Sequence, residues 1–118
     1  MAEDYRIVRE SAQLVYIEIN GEIGLEFLHE FWAVLEESEG PLCILLRNTQ
    51  DAVASMATVG LLYKSAQDPR LKAVAAFDLT SAQTLLVEWL LKAEGVETFR
   101  VFNTEQAARE YLAEVCGT

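Results

Sequence analysis

Alternation constrains this chain most. Residues 41–48 (PLCILLRN) and 71–77 (LKAVAAF) are short runs that are apolar almost throughout, which suits strands covered on both faces better than edge strands. Each is followed by turn-formers and then by helical spacing. After the first run, Asn48, Thr49 or Asp51 can cap a helix whose inner face takes Val53, Met56, Val59, Gly60 and Tyr63. Asp68-Pro69 ends that helix, because the residue before a proline resists the α conformation. After the second run, Thr80-Ser81-Ala82-Gln83 fits a capping box, the helix runs to about Lys92, and Gly95 supplies a left-handed stop. ETFRVFN reads as a last strand. TEQAAREYLAEV reads as a last helix, with Ala107, Ala108, Tyr111, Leu112 and Val115 inward.

The N-terminal part has a different rhythm. DYRIVRE and AQLVYIEIN are rich in Val, Ile and Tyr, and the second alternates Val15, Ile17 and Ile19 against Tyr16 and Glu18, so the pair reads as a β-hairpin around Ser11-Ala12. Asn20-Gly21 marks a turn. LEFLHEFWAVLEES then places Leu25, Leu28, Trp32 and Leu35 on one helical stripe, widened by Phe31, with Gly40 as its stop. The order ββαβαβαβα predicts a mixed α/β domain with a four- to five-stranded sheet. Its later strands are parallel, linked by right-handed crossovers with helices packed on them, and the N-terminal hairpin contributes an antiparallel edge. At 118 residues, the default is one domain over 1–118.

A formal charge of −10 disfavours nucleic acid, since a duplex-binding face needs clustered Lys and Arg. It also disfavours docking on anionic lipid. No run reaches the length of a membrane span, and MAEDYRIVRE has no apolar stretch of signal-peptide length. The expectation is a soluble cytoplasmic protein. There, Cys43 and Cys116 would both be reduced thiols, with Cys43 a small core residue.

Ligands of open α/β sheets gather at the carboxyl ends of parallel strands. Here those ends read RNTQD, DLTS and FNTE. The candidate partner-binding or modification loops therefore contain Asn48, Thr49, Asp51, Ser55, Thr58, Asp78, Thr80 and Ser81. None of the three ends carries His, Lys or Cys. His29 is the sole histidine, so a His-based dyad or two-His metal site has no second member. Glu26 and Glu30 have the spacing of an ordinary solvated helix face, and the chain contains no P-loop, Gly-x-Gly-x-x-Gly or Gly-x-Ser-x-Gly. The expectation is a non-enzyme with no cofactor and no metal.

Residues 68–112, DPRLKAVAAFDLTSAQTLLVEWLLKAEGVETFRVFNTEQAAREYL, resemble the C-terminal half of small bacterial STAS-like proteins, relatives of the anti-sigma-factor antagonists. The likeness lies in an Asp-Pro-Arg helix exit, an apolar strand, a long apolar helix, an Arg-Val-Phe strand and a closing Ala…Leu helix. Residues 5–47 follow the same plan more loosely. The resemblance implies protein-protein regulation rather than catalysis. In the classical antagonists a serine in an Asp-Ser-x-Gly stretch is phosphorylated. Aligning VGLL, residues 59–62, with the usual continuation sets Ser55-Met56-Ala57-Thr58 against that stretch, with Ser55 in the acidic place and no hydroxyl at Met56 or Ala57 where an acceptor is expected. Thr49, Ser55 and Thr58 lie near enough to accept a phosphate in a shifted register, or serve only as local caps and helix residues.

AQTLLVEWLLKA, residues 82–93, exceeds what one sheet face needs. Leu85, Leu86, Trp89, Leu90 and Ala93 form a stripe, Val87 and Leu91 extend it, and Thr84, Glu88 and Lys92 form the polar line. The arc is expected to meet a second copy, with Val87, Leu90 and Leu91 at a homodimer interface, or to be tucked under the first helix or the termini. Two function classes follow. One is a regulatory module that binds a protein partner. The other is a carrier for a small apolar ligand, lined by Phe27, Phe31, Trp32, Trp89, Phe99 and Phe102.

Overall fold

The computed structural model describes residues 4–38 and 40–117, without the side chains at 54, 56, 63 and 94. The N-terminal alternation forms its hairpin: β1 (Tyr5–Arg9) and β2 (Leu14–Ile19) pair antiparallel, with Ile7 opposite Ile17. Ser11 shapes the turn, its Oγ accepting from the backbone N–H of Leu14 at 3.1 Å. Next come β3 (Glu22–Ile23), α1 (Leu25–Glu37), β4 (Leu42–Asn48), β5 (Val53–Ala54), α2 (Met56–Ser65) and β6 (Leu71–Phe77). The chain closes with α3 (Ser81–Glu94), β7 (Phe99–Val101) and α4 (Glu105–Cys116). The main sheet has five strands in the order β1-β2-β4-β6-β7, antiparallel only at the hairpin. This is the expected mixed α/β plan, with one addition: β3 and β5 form a separate two-stranded parallel ribbon.

The period of two divides the sheet's side chains between two cores. Val15, Ile17, Ile44 and Val74 face a cluster with Phe27, Phe31 and Leu35 of α1 and Leu91 of α3. Tyr16, Cys43, Leu45, Ala73, Ala75 and Phe77 face the other way, against Ala108 and Leu112 of α4. The small side chains on both sides of this second cluster let a single helix lie close to the sheet. At the exit of α2, Asp68 accepts from Arg70 at both its backbone N–H (2.9 Å) and its guanidinium (2.7 Å). Those bonds hold the Asp68 carboxyl down at about 2.

Several boundaries differ from the sequence expectation. α2 is capped by Ser55, whose Oγ accepts from the Thr58 N–H at 3.1 Å, and not by Asn48, Thr49 or Asp51. The cause is tertiary: the backbone after Asn48 turns at Gln50-Asp51, with Ala52 N–H donating to Thr49 O, and is tied to distant backbone on both sides, Thr49 N–H donating to Ile19 O and Val53 N–H to Gly21 O. Val53, expected inside a helix, is therefore an exposed strand residue, and Gly60 is exposed too. Met56 and Tyr63, expected beside them, have side chains outside the described residues. On α1 the buried stripe is Phe27, Leu28, Phe31 and Leu35, while Leu25 points to solvent. That helix ends into an extended Ser38 rather than at Gly40. The capping box at Thr80 and the left-handed Gly95 stand as expected.

The two cysteines are not separate thiols. Cys43 and Cys116 are joined in a disulfide that ties the start of β4 to the end of α4. They lie 73 residues apart in sequence, and only the docking of α4 over β4 brings them together.

Candidate functional site

The carboxyl ends of β2, β4 and β6 lie side by side because these strands are parallel neighbours. On the α4 side they are laced by charge. Arg47, at the end of β4, donates from Nε to Asp78 at 3.0 Å and from Nη1 to Glu18 at 3.1 Å. Asp78 takes a left-handed φ of 64°, a conformation that Asp tolerates better than most residues. Burial, followed by the Glu18 charge, pushes the neighbouring Tyr16 phenol up. Arg47 was not anticipated at this site; its one sequence signal is a cation closing an apolar strand.

The hydroxyls of the predicted loops are engaged locally. Thr49 Oγ1 donates to the carbonyl of Ile19 at 3.0 Å. Ser55 Oγ donates to Thr58 Oγ1 at 3.0 Å while accepting from its N–H, and Thr58 is buried. Thr80 Oγ1 accepts from the Gln83 N–H, and the Gln83 carboxamide returns the bond by accepting from the Thr80 N–H at 2.9 Å. Gln83 Nε2 also reaches the Thr49 carbonyl at 3.5 Å, so the structure brings the two loops together. Asp51 and Ser81 are exposed. These hydroxyls act as caps and braces. His29 sits on α1 with its ring 5.9 Å from Trp32. Among the described residues, no group of three or more His, Cys, Asp or Glu side chains could hold a metal ion.

On the opposite side of the same strand ends lies an open groove of about 330 Å³. Ile19 and Asn48 form its floor, Ile23, Ala52 and Val53 one wall, and Val59 of α2 with Gln83, Leu86, Val87 and Leu90 of α3 the rest. Among the described residues, no ionisable side chain lines it. The sequence pattern hid this groove, because it exists only where the ribbon of β3 and β5 stands across from α3.

The orientation of α3 takes Leu91 out of the expected interface. Leu91 is only 7% exposed and belongs to the core, and Val87 and Leu90 are half-buried against it. Facing away from the sheet instead are Leu85 (69% exposed), Leu86 (50%) and Trp89 (65%). The helix is thus turned so that its outer side, not its flank, carries the surplus apolar surface. The six aromatic rings expected around a ligand do not converge either. Phe27, Phe31 and Phe99 border an interior cavity of about 60 Å³. Trp32 donates its indole N–H to Ser65 Oγ at 2.7 Å, Trp89 faces outward, and Phe102 lies across the sheet against Tyr111.

Fold and site together define an open mixed α/β protein with an apolar groove at the carboxyl ends of its parallel strands and apolar side chains exposed along one helix. The chain matches no protein-family model, no curated protein and no solved structure. No helix among the described residues is long and apolar enough to cross a membrane.

Proposed function

We propose that this chain is a non-catalytic regulatory module of STAS-like type, which acts by binding protein through the outer side of α3 and the adjoining loops at residues 47–55 and 78–82. The observation that carries this reading is the apolar exposure of Leu85, Leu86 and Trp89 on one helix side. Leaving such side chains in water forgoes roughly 1.5–3 kcal/mol each, and contiguous exposed apolar surface of this sort marks interaction sites. Neither Met56 nor Ala57, where the resemblance would put a phosphoacceptor, carries a hydroxyl, which favours binding that needs no phosphate switch. A bacterial cytoplasmic setting, without nucleic acid or a cofactor, belongs to the same proposal. The Cys43–Cys116 disulfide pulls against that setting, and counting free thiols in rapidly quenched cells tests it.

The test of the contact surface is site-specific photo-cross-linking in the native cell. A photoreactive phenylalanine at position 85 is expected to give discrete protein adducts, and one at position 113, on exposed α4 surface, none. Absence of protein adducts at 85 would remove this reading.

A second reading, a carrier for a small apolar ligand, is favoured by the groove alone. Its volume falls at the lower end of ligand-pocket sizes, about 300–1,000 Å³, and Asn48 and Gln83 offer the few polar groups such a site needs. Native mass spectrometry of the freshly isolated protein tests it through the expected adduct mass.

A further inference from the structure

We infer that the occupant of the α3 surface is a second copy of this chain, paired antiparallel across a twofold axis so that each Trp89 seats at the mouth of its partner's groove. This rests on the contact surface proposed above and specifies what covers it. The apolar positions along the outer side and groove edge of α3 read Ala82, Leu85, Leu86, Trp89, Leu90 and Ala93. Their spacing is symmetric about the midpoint between Val87 and Glu88. An isologous contact requires a surface that complements itself under a twofold rotation, and a palindromic stripe meets that requirement in the antiparallel sense. Centred on that midpoint, the rotation sets Ala82 opposite Ala93, Leu85 opposite Leu90, and Leu86 opposite Trp89. Small residues meet at the ends and large ones in the middle.

Shape supports the same occupant. Trp89 projects as a knob, and Leu86, its opposite number in the pair, forms part of the wall of the open groove. Knob and hole lie one helical turn apart on the same element, so one rotation satisfies both copies. Each indole can remove on the order of 150–250 Å² from water.

Charge supports it as well. At −10 overall, two copies repel one another through most of their surface. Among the described residues the groove is lined by no ionisable group, and the exposed flank of α3 offers Glu88 and Lys92, one of each sign. A strongly basic partner would gain nothing from this face, whereas a like-charged copy can approach here at the least cost.

The experiment pairs light scattering after size-exclusion chromatography with thiol cross-linking on the full chain. The native protein should run at the mass of two chains and Trp89→Glu at the mass of one, with unchanged circular dichroism. With the native cysteines bonded to each other, a short bismaleimide should link Ala82→Cys chains to Ala93→Cys chains when the two variants are mixed. Neither variant alone should cross-link, and both keep Trp89. A native monomer at every concentration, a dimer that survives Trp89→Glu, or linkage of Ala82→Cys to itself overturns the inference. If position 85 still captures a different protein while the native chain is monomeric, the contact-surface reading stands and only the second copy falls.

Discussion

Helices α3 and α4 are closed by the same local chemistry and end in opposite situations. Each has a threonine N-cap whose hydroxyl accepts from the third helical N–H, and each ends on a left-handed glycine, at φ 68° and 70°. α4 then buries a narrow stripe, Ala108 and Leu112, into the sheet and is fastened at both ends. At its end Cys116 is bonded to Cys43 of β4. Nearer its start, Arg109 grips Glu10 in a two-pronged pair at 2.9 and 3.0 Å. α3 buries Leu91, leans Val87 and Leu90 on the core, and leaves Leu85, Leu86 and Trp89 outside. Equal caps therefore say nothing about how firmly a helix is held. In proteins that is set by the face a helix finds to pack against.

This contrast can be broken most sharply in the buried stripe. Leu112→Ala, at a side chain with 1% exposure, should cost about 2–5 kcal/mol in urea unfolding, while Leu85→Ala on the isolated chain should change stability by no more than about 0.5 kcal/mol. Comparable losses at the two sites would mean that α3 is as firmly docked as α4.

The disulfide comes next. It closes a loop across 73 residues of sequence separation, and reducing it should lower stability by about 4 kcal/mol on the chain-entropy account. Amide exchange should then show α4 opening earlier and α3 unchanged. A Cys116→Ser chain with native stability would show that the apolar contacts of α4 suffice alone.

The caps probe the difference at smaller scale. Thr104→Ala and Thr80→Ala each remove one cap, worth about 1 kcal/mol. The first should appear as a loss of global stability, because α4 opens with the core. The second should appear chiefly as faster exchange at the start of α3. Equal global losses would show that both helices unfold as one unit.

The smallest effect is in pH. The Arg109 guanidinium holds the Glu10 carboxyl below its ordinary range. A depressed carboxylate contributes stability above its unfolded pKa, and that contribution is lost as pH falls through the lowered folded value. Acidification through the carboxylate range should therefore quicken exchange at the start of α4 with little change in α3, and Glu10→Gln should abolish that response. The pair is partly exposed, so added salt should weaken it.

Much of this architecture can be read in the chain, and the unreadable parts share a cause. The hairpin follows from the alternation of Val15, Ile17 and Ile19, and β4 from an unbroken apolar run. The start of α3 follows from Thr80 and Gln83, and its end from Gly95. Each of these signals lies within a few residues of what it specifies. The start of α2 lies later than the local pattern suggests because residues 49–54 are taken up by a turn at Gln50-Asp51 and by strand β5, tied to β3 and to the end of β2, distant in sequence. The strand ends that define the candidate loops are legible in the sequence, yet the groove beside them needed the β3 and β5 ribbon to exist. Leu91 reads as an interface residue rather than a core one because a stripe covering most of a helix gives no single direction for burial.

By itself, then, the sequence determined the order of the five main strands and four helices, the two caps of α3 and the parallel run of later strands, since periodicity and turn chemistry act locally and are written in neighbouring residues. Only the tertiary structure decided that Cys43 meets Cys116, that Arg47 bridges Glu18 and Asp78, and that Leu85, Leu86 and Trp89 face outward. Those outcomes depend on which side of a helix reaches the sheet. That choice is settled by the shape and area of surfaces assembled from distant parts of the chain, and no local pattern contains it.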